Sequence, residues 1–226
     1  MFDEKRHNDE PPVPSVPWHD AGEFVISNEE RPATRHRKRP VLGIRAFRIP
    51  QGGTAQRVNA PCAFFPPPSQ ASAKSQRLFA DAEGRTPLCS VDDPRVGDGV
   101  RLYDVRDGQG QHIGSIRRVA PLKHALKPTW RLHQPGHPQI ISSAEWGEGG
   151  LKEVVQRGAG TLLLGVVQAV ADMGADGGDQ TGKPRVLAWK ADSELVMTSE
   201  HDRRFLIRAG WLDRRLVLAY AMLRAE

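Results

Sequence analysis

The sequence predicts a mainly β protein of the α+β class, with two helices, in which a closed antiparallel β-barrel surrounds a buried C-terminal helix. Three observations carry this. About ten short strand-like runs follow one another with few crossover helices, which argues an antiparallel sheet and not a doubly wound one. A sheet with so many strands tends to curl closed. The last residues, WLDRRLVLAYAMLRAE at 211–226, hold an apolar run from Leu216 to Leu223 without a polar break. A helix that is apolar all round must be buried all round, and this one is too short to cross a bilayer.

The strands read in order as follows. VLGIRAFRI at 41–49 alternates apolar residues. QRLFADAEGRTPLCSV at 76–91 reads strand, turn, strand, with Glu83-Gly84 at the bend. GVRLYDVRDGQGQHIGSIRRV at 99–119 is the clearest hairpin, with Asp107-Gly108 and Gly110 in its turn. TWRLH and QIISSAEW form another pair joined by QPGHP, and RVLAWKA, ELVMTS and RRFLIRA complete the set. Between these groups, residues 151–175 carry apolar residues at helical spacing, interrupted by Gly158-Ala159-Gly160, and predict a helical insert. The final helix is expected to start near Asp213, a residue favoured at helix N-termini.

Two stretches read differently. Residues 1–40 predict a disordered tail rich in Pro and charge, leaving 41–226 as the barrel domain. The tail includes the basic cluster RHRKRP at Arg35–Pro40, able to touch nucleic acid or a membrane surface, or simply solvated. Residues 51–75, with FFPPPSQASAKS, read as a second loop or linker.

Composition sets outer bounds. The chain of 226 residues is long enough for a real core. A net charge of +5 permits nucleic acid, anionic lipid or acidic partners without choosing among them. MFDEKRHNDEPP predicts no signal peptide. The best spanning candidate, TLLLGVVQAVADMGA, is too short and carries Asp172. The expectation is a cytoplasmic protein with reduced thiols. Cys62 and Cys89 are too few to staple the fold, and whether they pair is open at this level.

Three segments resemble the tubby C-terminal-like fold, and within it the LURP-one-related and phospholipid-scramblase-like proteins. LFADAEGRTPLCSVDDP is similar to the opening hairpin of that group. YDVRDGQGQHIGSIRR is similar to its V-x-D-x-x-G-x-x-I-G-x-I hairpin, at Val105, Asp107, Gly110, Ile113, Gly114 and Ile116. WLDRRLVLAYAML resembles the terminal helix that those proteins thread through the barrel. The resemblance runs over 41–226 and implies a non-enzymatic binding protein, with anionic phospholipid at the cytoplasmic membrane face as the candidate ligand. No separate membrane-inserting segment accompanies it.

Other motifs lead nowhere specific. Gly177, Gly182 and Lys183 match the spacing of a phosphate-binding loop, but Pro184 stands where Ser or Thr and a helix are needed. His112, His124, His133 and His137 lack the Cys or carboxylate partners of a metal centre, so no metal and no cofactor is expected. No nucleophile elbow is present, and Cys62 and Cys89 carry no local nucleophile signature. What remains is basic pairs. Arg117 and Arg118, with Lys123 beyond them, and Arg203 and Arg204 are the candidate anion ligands, since guanidinium groups form bidentate charge-assisted bonds to phosphate. Strand alternation predicts that only one residue of each pair faces outward. Arg215 is expected to pair with Asp172, Asp192 or Asp202. The alternatives to lipid are a nucleic acid held by the basic tail and a protein-interaction module.

Overall fold

The computed structural model describes residues 11–35, 37–53, 57–70, 76–119, 129–144, 186–200 and 203–225. Among these lie thirteen strands and one α-helix. The strands are β1 (Glu23–Arg31), β2 (Val41–Gln51), β3 (Val58–Phe64), β4 (Gln76–Phe79), β5 (Pro87–Val91), β6 (Arg95–Gly97), β7 (Val100–Asp107), β8 (His112–Val119), β9 (Thr129–His133), β10 (Ile140–Ala144), β11 (Val186–Ala191), β12 (Glu194–Glu200) and β13 (Arg204–Ile207). A 3₁₀ turn at Trp18–Asp20 precedes them, and helix α1 (Arg214–Ala225) follows.

The order β5-β4-β3-β2-β1-β13-β12-β11-β10-β9-β8-β7 closes when β5 pairs with β7, through Cys89↔Asp107, Ser90↔Arg106 and Val91↔Val105. Twelve antiparallel strands therefore form the ring, and β6 lies outside it against β7. Closure removes the sheet edges. Turn chemistry sets the hairpins. Gly84 and Gly110 adopt φ of +70° and +81°, a region open to glycine at little cost. Asp107 Oδ1 accepts the N–H groups of Gln109 and Gln111, both at 2.9 Å, as turn aspartates do. Asp81 ties the β4–β5 turn in the same way, through the N–H groups of Arg85 and Thr86.

Several expectations are corrected. The tail assigned to 1–40 contributes β1, which sits in the ring between β2 and β13. Phe24 and Ile26 alternate into the core, a short signal submerged in charged flanks. Residues 51–75, read as a loop, contain β3, buried for most of its length. Its Pro61 looks like a strand breaker, but it falls opposite Arg48 at a register shift, where a missing N–H costs no regular ladder bond. The helical insert at 151–175 lies outside the described residues, so α1 is the one α-helix among them.

Helix α1 is the axis of the core. Leu216 to Ala221 are fully buried and Met222 is 2% exposed. Tyr220 stands in an aromatic cage, with ring centroids of Trp189 at 4.7 Å, Trp130 at 5.4 Å and Phe205 at 6.1 Å, all edge-on. The helix lies so close to the wall that a Cβ at Gly114 would sit 3.0 Å from Leu216 Cδ2 and 2.6 Å from the His133 carbonyl oxygen. Asp213 caps the first turn by accepting the Arg215 N–H at 2.9 Å. Gln134 fixes the entry: its side chain donates to Trp211 O at 2.9 Å and accepts Asp213 N–H at 2.8 Å.

A second, polar cluster lies outside the ring. Arg48 is fully buried and donates to Ser27 O, Ile44 O, Asn59 O and Glu30 Oε1, the last at 3.3 Å. Residues 11–17 strap over it, with Val13 N–H on Glu30 Oε2 and Val16 N–H on Pro61 O. Such a charge is tolerable only when its donors are met.

Two stability outcomes follow. Leu218→Ala should lower the unfolding free energy by about 2–5 kcal/mol, the range for a buried leucine that leaves a cavity, read by urea denaturation. Deleting residues 1–40 removes β1 from the ring and should abolish cooperative unfolding.

Candidate functional site

The pair on β8 separates as strand alternation requires, whereas Arg203 lies ahead of its strand and Arg204 shares the outer face with Leu206, since Phe205 and Ile207 are buried. On β8, Gly114 and Ile116 face the core, so Arg118 follows them inward at the mouth while Arg117 is exposed on the wall. The Arg118 guanidinium lies 5.5 Å from the centre of the Trp130 ring, and Arg224 lies 5.4 Å from the same ring. Arg203 precedes β13 in a tight turn, its N–H on Glu200 O and its carbonyl accepting Ile26 N–H, and its side chain is exposed. Arg204, one residue on, is taken up by Glu23 at 2.7 Å and serves to tie β13 to β1. Lys123 lies outside the described residues.

Two arginines absent from the sequence reading complete the arrangement. Arg45 on β2 and Arg224 in the last turn of α1 line, with Arg203, a cavity of about 590 Å³ at the C-terminal end of the helix. Ile26, Ser27, Asn28 and Ala225 form the rest of its wall. Asn28 is the residue skipped between the paired positions Ser27 and Glu29, so a bulge sets it out of the regular ladder. Arg45 donates to Ala225 O at 3.0 Å and stacks over Phe65, 4.9 Å from its centroid. It thereby meets one of the carbonyls that every helix leaves unpaired, at the negative end of the dipole. Guanidinium, amide and hydroxyl groups converge here from β1, β2, the β12–β13 turn and α1. No stretch of sequence brings those four elements together, so of the cavity's arginines the sequence points to Arg203 alone.

The opposite end of the helix is settled by ion pairs. Arg215 reaches Asp213 Oδ2 at 2.8 Å and Asp107 Oδ2 at 3.5 Å. Of the expected partners, Asp172 and Asp202 lie outside the described residues and Asp192 is not used; the hairpin turn at Asp107 lies beside the helix start and supplies the carboxylate instead. The Asp107 carboxyl is held below the usual range, first by the Gln111 N–H and further by Arg215. Asp81 is lowered to about 2, chiefly by the Arg85 N–H.

A second cavity, of about 560 Å³, opens where β3 meets β4 through a single register pair, Phe64↔Phe79. Glu30, Asp81 and Glu83 border it beside the exposed Leu42 and Ile44. All three carboxylates are already engaged, Glu30 by Arg48, Asp81 by turn N–H groups and Glu83 by Arg85.

Among the described residues no group of three His, Cys, Asp or Glu converges as metal ligands would. His137 stacks on Trp211 at 4.3 Å. Also among them, no helix is long and apolar enough to cross a membrane. Cys62 and Cys89 are free thiols, both buried, and burial pushes each up to about 12.

The sequence matches no family model, no curated protein and no solved structure.

The thiols generate a pH-linked outcome. Their folded values lie above the unfolded value of about 8.5, so the folded state keeps protons that the unfolded state releases. The associated stability is complete below about pH 8.5 and is lost as pH rises toward about 12. Urea midpoints should fall across that window, and less steeply in Cys62→Ala and Cys89→Ala. Iodoacetamide labelling at neutral pH should track global unfolding.

Proposed function

We propose that this chain is a non-enzymatic barrel of the tubby-like kind, related to LURP-one and scramblase-like proteins, that holds the phosphate-bearing head group of an anionic phospholipid at the cytoplasmic face of a membrane. The observation that carries the reading is the cavity at the helix C-terminus, where Arg45, Arg203 and Arg224 share one space with Ser27 and Asn28. Its described lining supplies hydrogen-bond donors and positive charge, the chemistry that receives a phosphate. The fold side of the reading rests on the closed ring around an apolar helix, which is the arrangement that the resemblance implies.

Division of labour among the arginines is part of the proposal. Arg45 already bonds the helix end, so it positions. Arg203, exposed at the rim and with its side chain unbonded among the described residues, is the group that would reach a ligand first. Guanidinium groups suit this role because their charge does not titrate in the physiological range.

Co-sedimentation of the full chain with vesicles tests it. The protein should pellet with phosphatidylcholine vesicles containing about one third phosphatidylserine, and remain in solution with phosphatidylcholine alone. Arg203→Glu should weaken the binding by about tenfold or more. No binding to the anionic vesicles at low salt overturns the reading. Duplex DNA titrated under the same conditions checks the rival: DNA binding with a steep salt dependence and no vesicle binding moves the assignment to nucleic acid.

A further inference from the structure

The mouth occupies one end of the barrel, and the wall beside it sets two arginines across from each other, one of which, Arg131, also donates to Gln139 Oε1 at 3.4 Å. Arg117 on β8 stands directly opposite Arg131 on β9. Arg131 stands opposite Ile141 on β10, and Ile141 opposite Lys190 on β11. These four form a single row on the outer face, because their neighbours Ile116, Leu132, Ile140 and Trp189 are buried inside. Arg117 and Lys190 are exposed, and Ile141 is 41% exposed.

Like charges facing each other across an antiparallel pair destabilise the sheet. None of β8, β9, β10 or β11 carries an Asp or Glu to offset this. On the neighbouring strand β7, Asp104 is engaged by Arg95 and lies 3.6 Å from His112. Strands β2 to β5 also lack acids, but there Arg48 is buried with Glu30 and Arg45 caps the helix, leaving Arg77 as the outward cation. The wall of β8–β11 is thus a lateral row of cations with an exposed isoleucine between two of them.

Taking the lipid assignment of the mouth as given, we propose that the outer wall of β8–β11 is the surface that lies against the anionic bilayer, with Arg117, Arg131 and Lys190 on the lipid phosphates and Ile141 entering the interface. Charge complementarity selects the occupant. A row of cations spread over four strands matches an extended anionic plane, and an aliphatic side chain between them gains from the head-group boundary. Nucleic acid fits the same wall less well, since its tryptophans, Trp130 and Trp189, point inward and offer no stacking face.

The test uses the like-charge pair. Arg131→Glu places an opposite charge across from Arg117, so it should leave the melting temperature unchanged or raise it, while removing positive charge from the wall. The full chain and its variants are titrated with phosphatidylcholine vesicles containing about one third phosphatidylserine. Arg131→Glu should bind about tenfold or more weakly, and Ile141→Ser should also bind more weakly, with both folds retained. Arg77→Glu, with the same change in net charge beyond the β5–β7 closure, should bind like the parent. Equal binding by the parent, Arg131→Glu and Ile141→Ser overturns the wall and leaves the mouth assignment standing. An equal loss in Arg77→Glu also overturns it, since net charge alone then explains the effect. Failure of the parent itself to bind overturns the mouth assignment and the wall together.

Discussion

Seven consecutive helical residues, Leu216 to Met222, are withdrawn from water on every side, and only a wall that returns on itself can enclose them. That single demand shapes the rest. It requires the ring to close, which the β5–β7 pairing does. It requires small residues where the wall passes closest, as at Gly114 against Leu216. It requires aromatic mass to fill the space around the one large polar-tipped residue of the helix, Tyr220. Each of these is a packing answer to one apolar cylinder, and the hydrophobic term it secures is non-directional, so precision has to come from elsewhere.

Direction is supplied at the two ends of the helix by polar groups. At the start, Asp213 caps the backbone while Arg215 links that cap to Asp107, which is itself the residue that organises the β7–β8 turn. One aspartate therefore sets a hairpin and docks the axis. At the other end Arg45 meets a terminal carbonyl. The helix dipole favours cations there, so arginines gathered at the mouth have a structural reason besides the binding role proposed for them. The two roles are compatible: groups that neutralise a helix terminus also raise the local positive potential that an anion meets.

The exterior follows a different logic. On the β1–β3 side a buried arginine is fully bonded and covered by residues 11–17, an ionic cluster sealed from solvent. On the β8–β11 side Arg117 and Arg131 stand in register across a strand pair. A barrel gains nothing in stability from the second arrangement.

Local chemistry was enough to place most of the strands, the turns at Gly84 and Gly110, the helix start at Asp213 and the burial of its apolar run. Each of these is written within a few neighbouring residues, as periodicity, turn preference or an all-apolar face. The same reading missed β1 and β3, because the short alternation in one is drowned by charge and the proline in the other is excused only by a bulge opposite Arg48. It nominated Arg203 and Arg118 but had no means of joining them to Arg45 and Arg224, which come from distant segments. It expected Arg204 to be available, whereas Glu23, a residue assigned to the tail, engages it. Periodicity is a property of adjacent residues and survives in the sequence. Convergence of three arginines on one cavity, or of two across a strand pair, depends on closure and register, which exist only once the ring has formed.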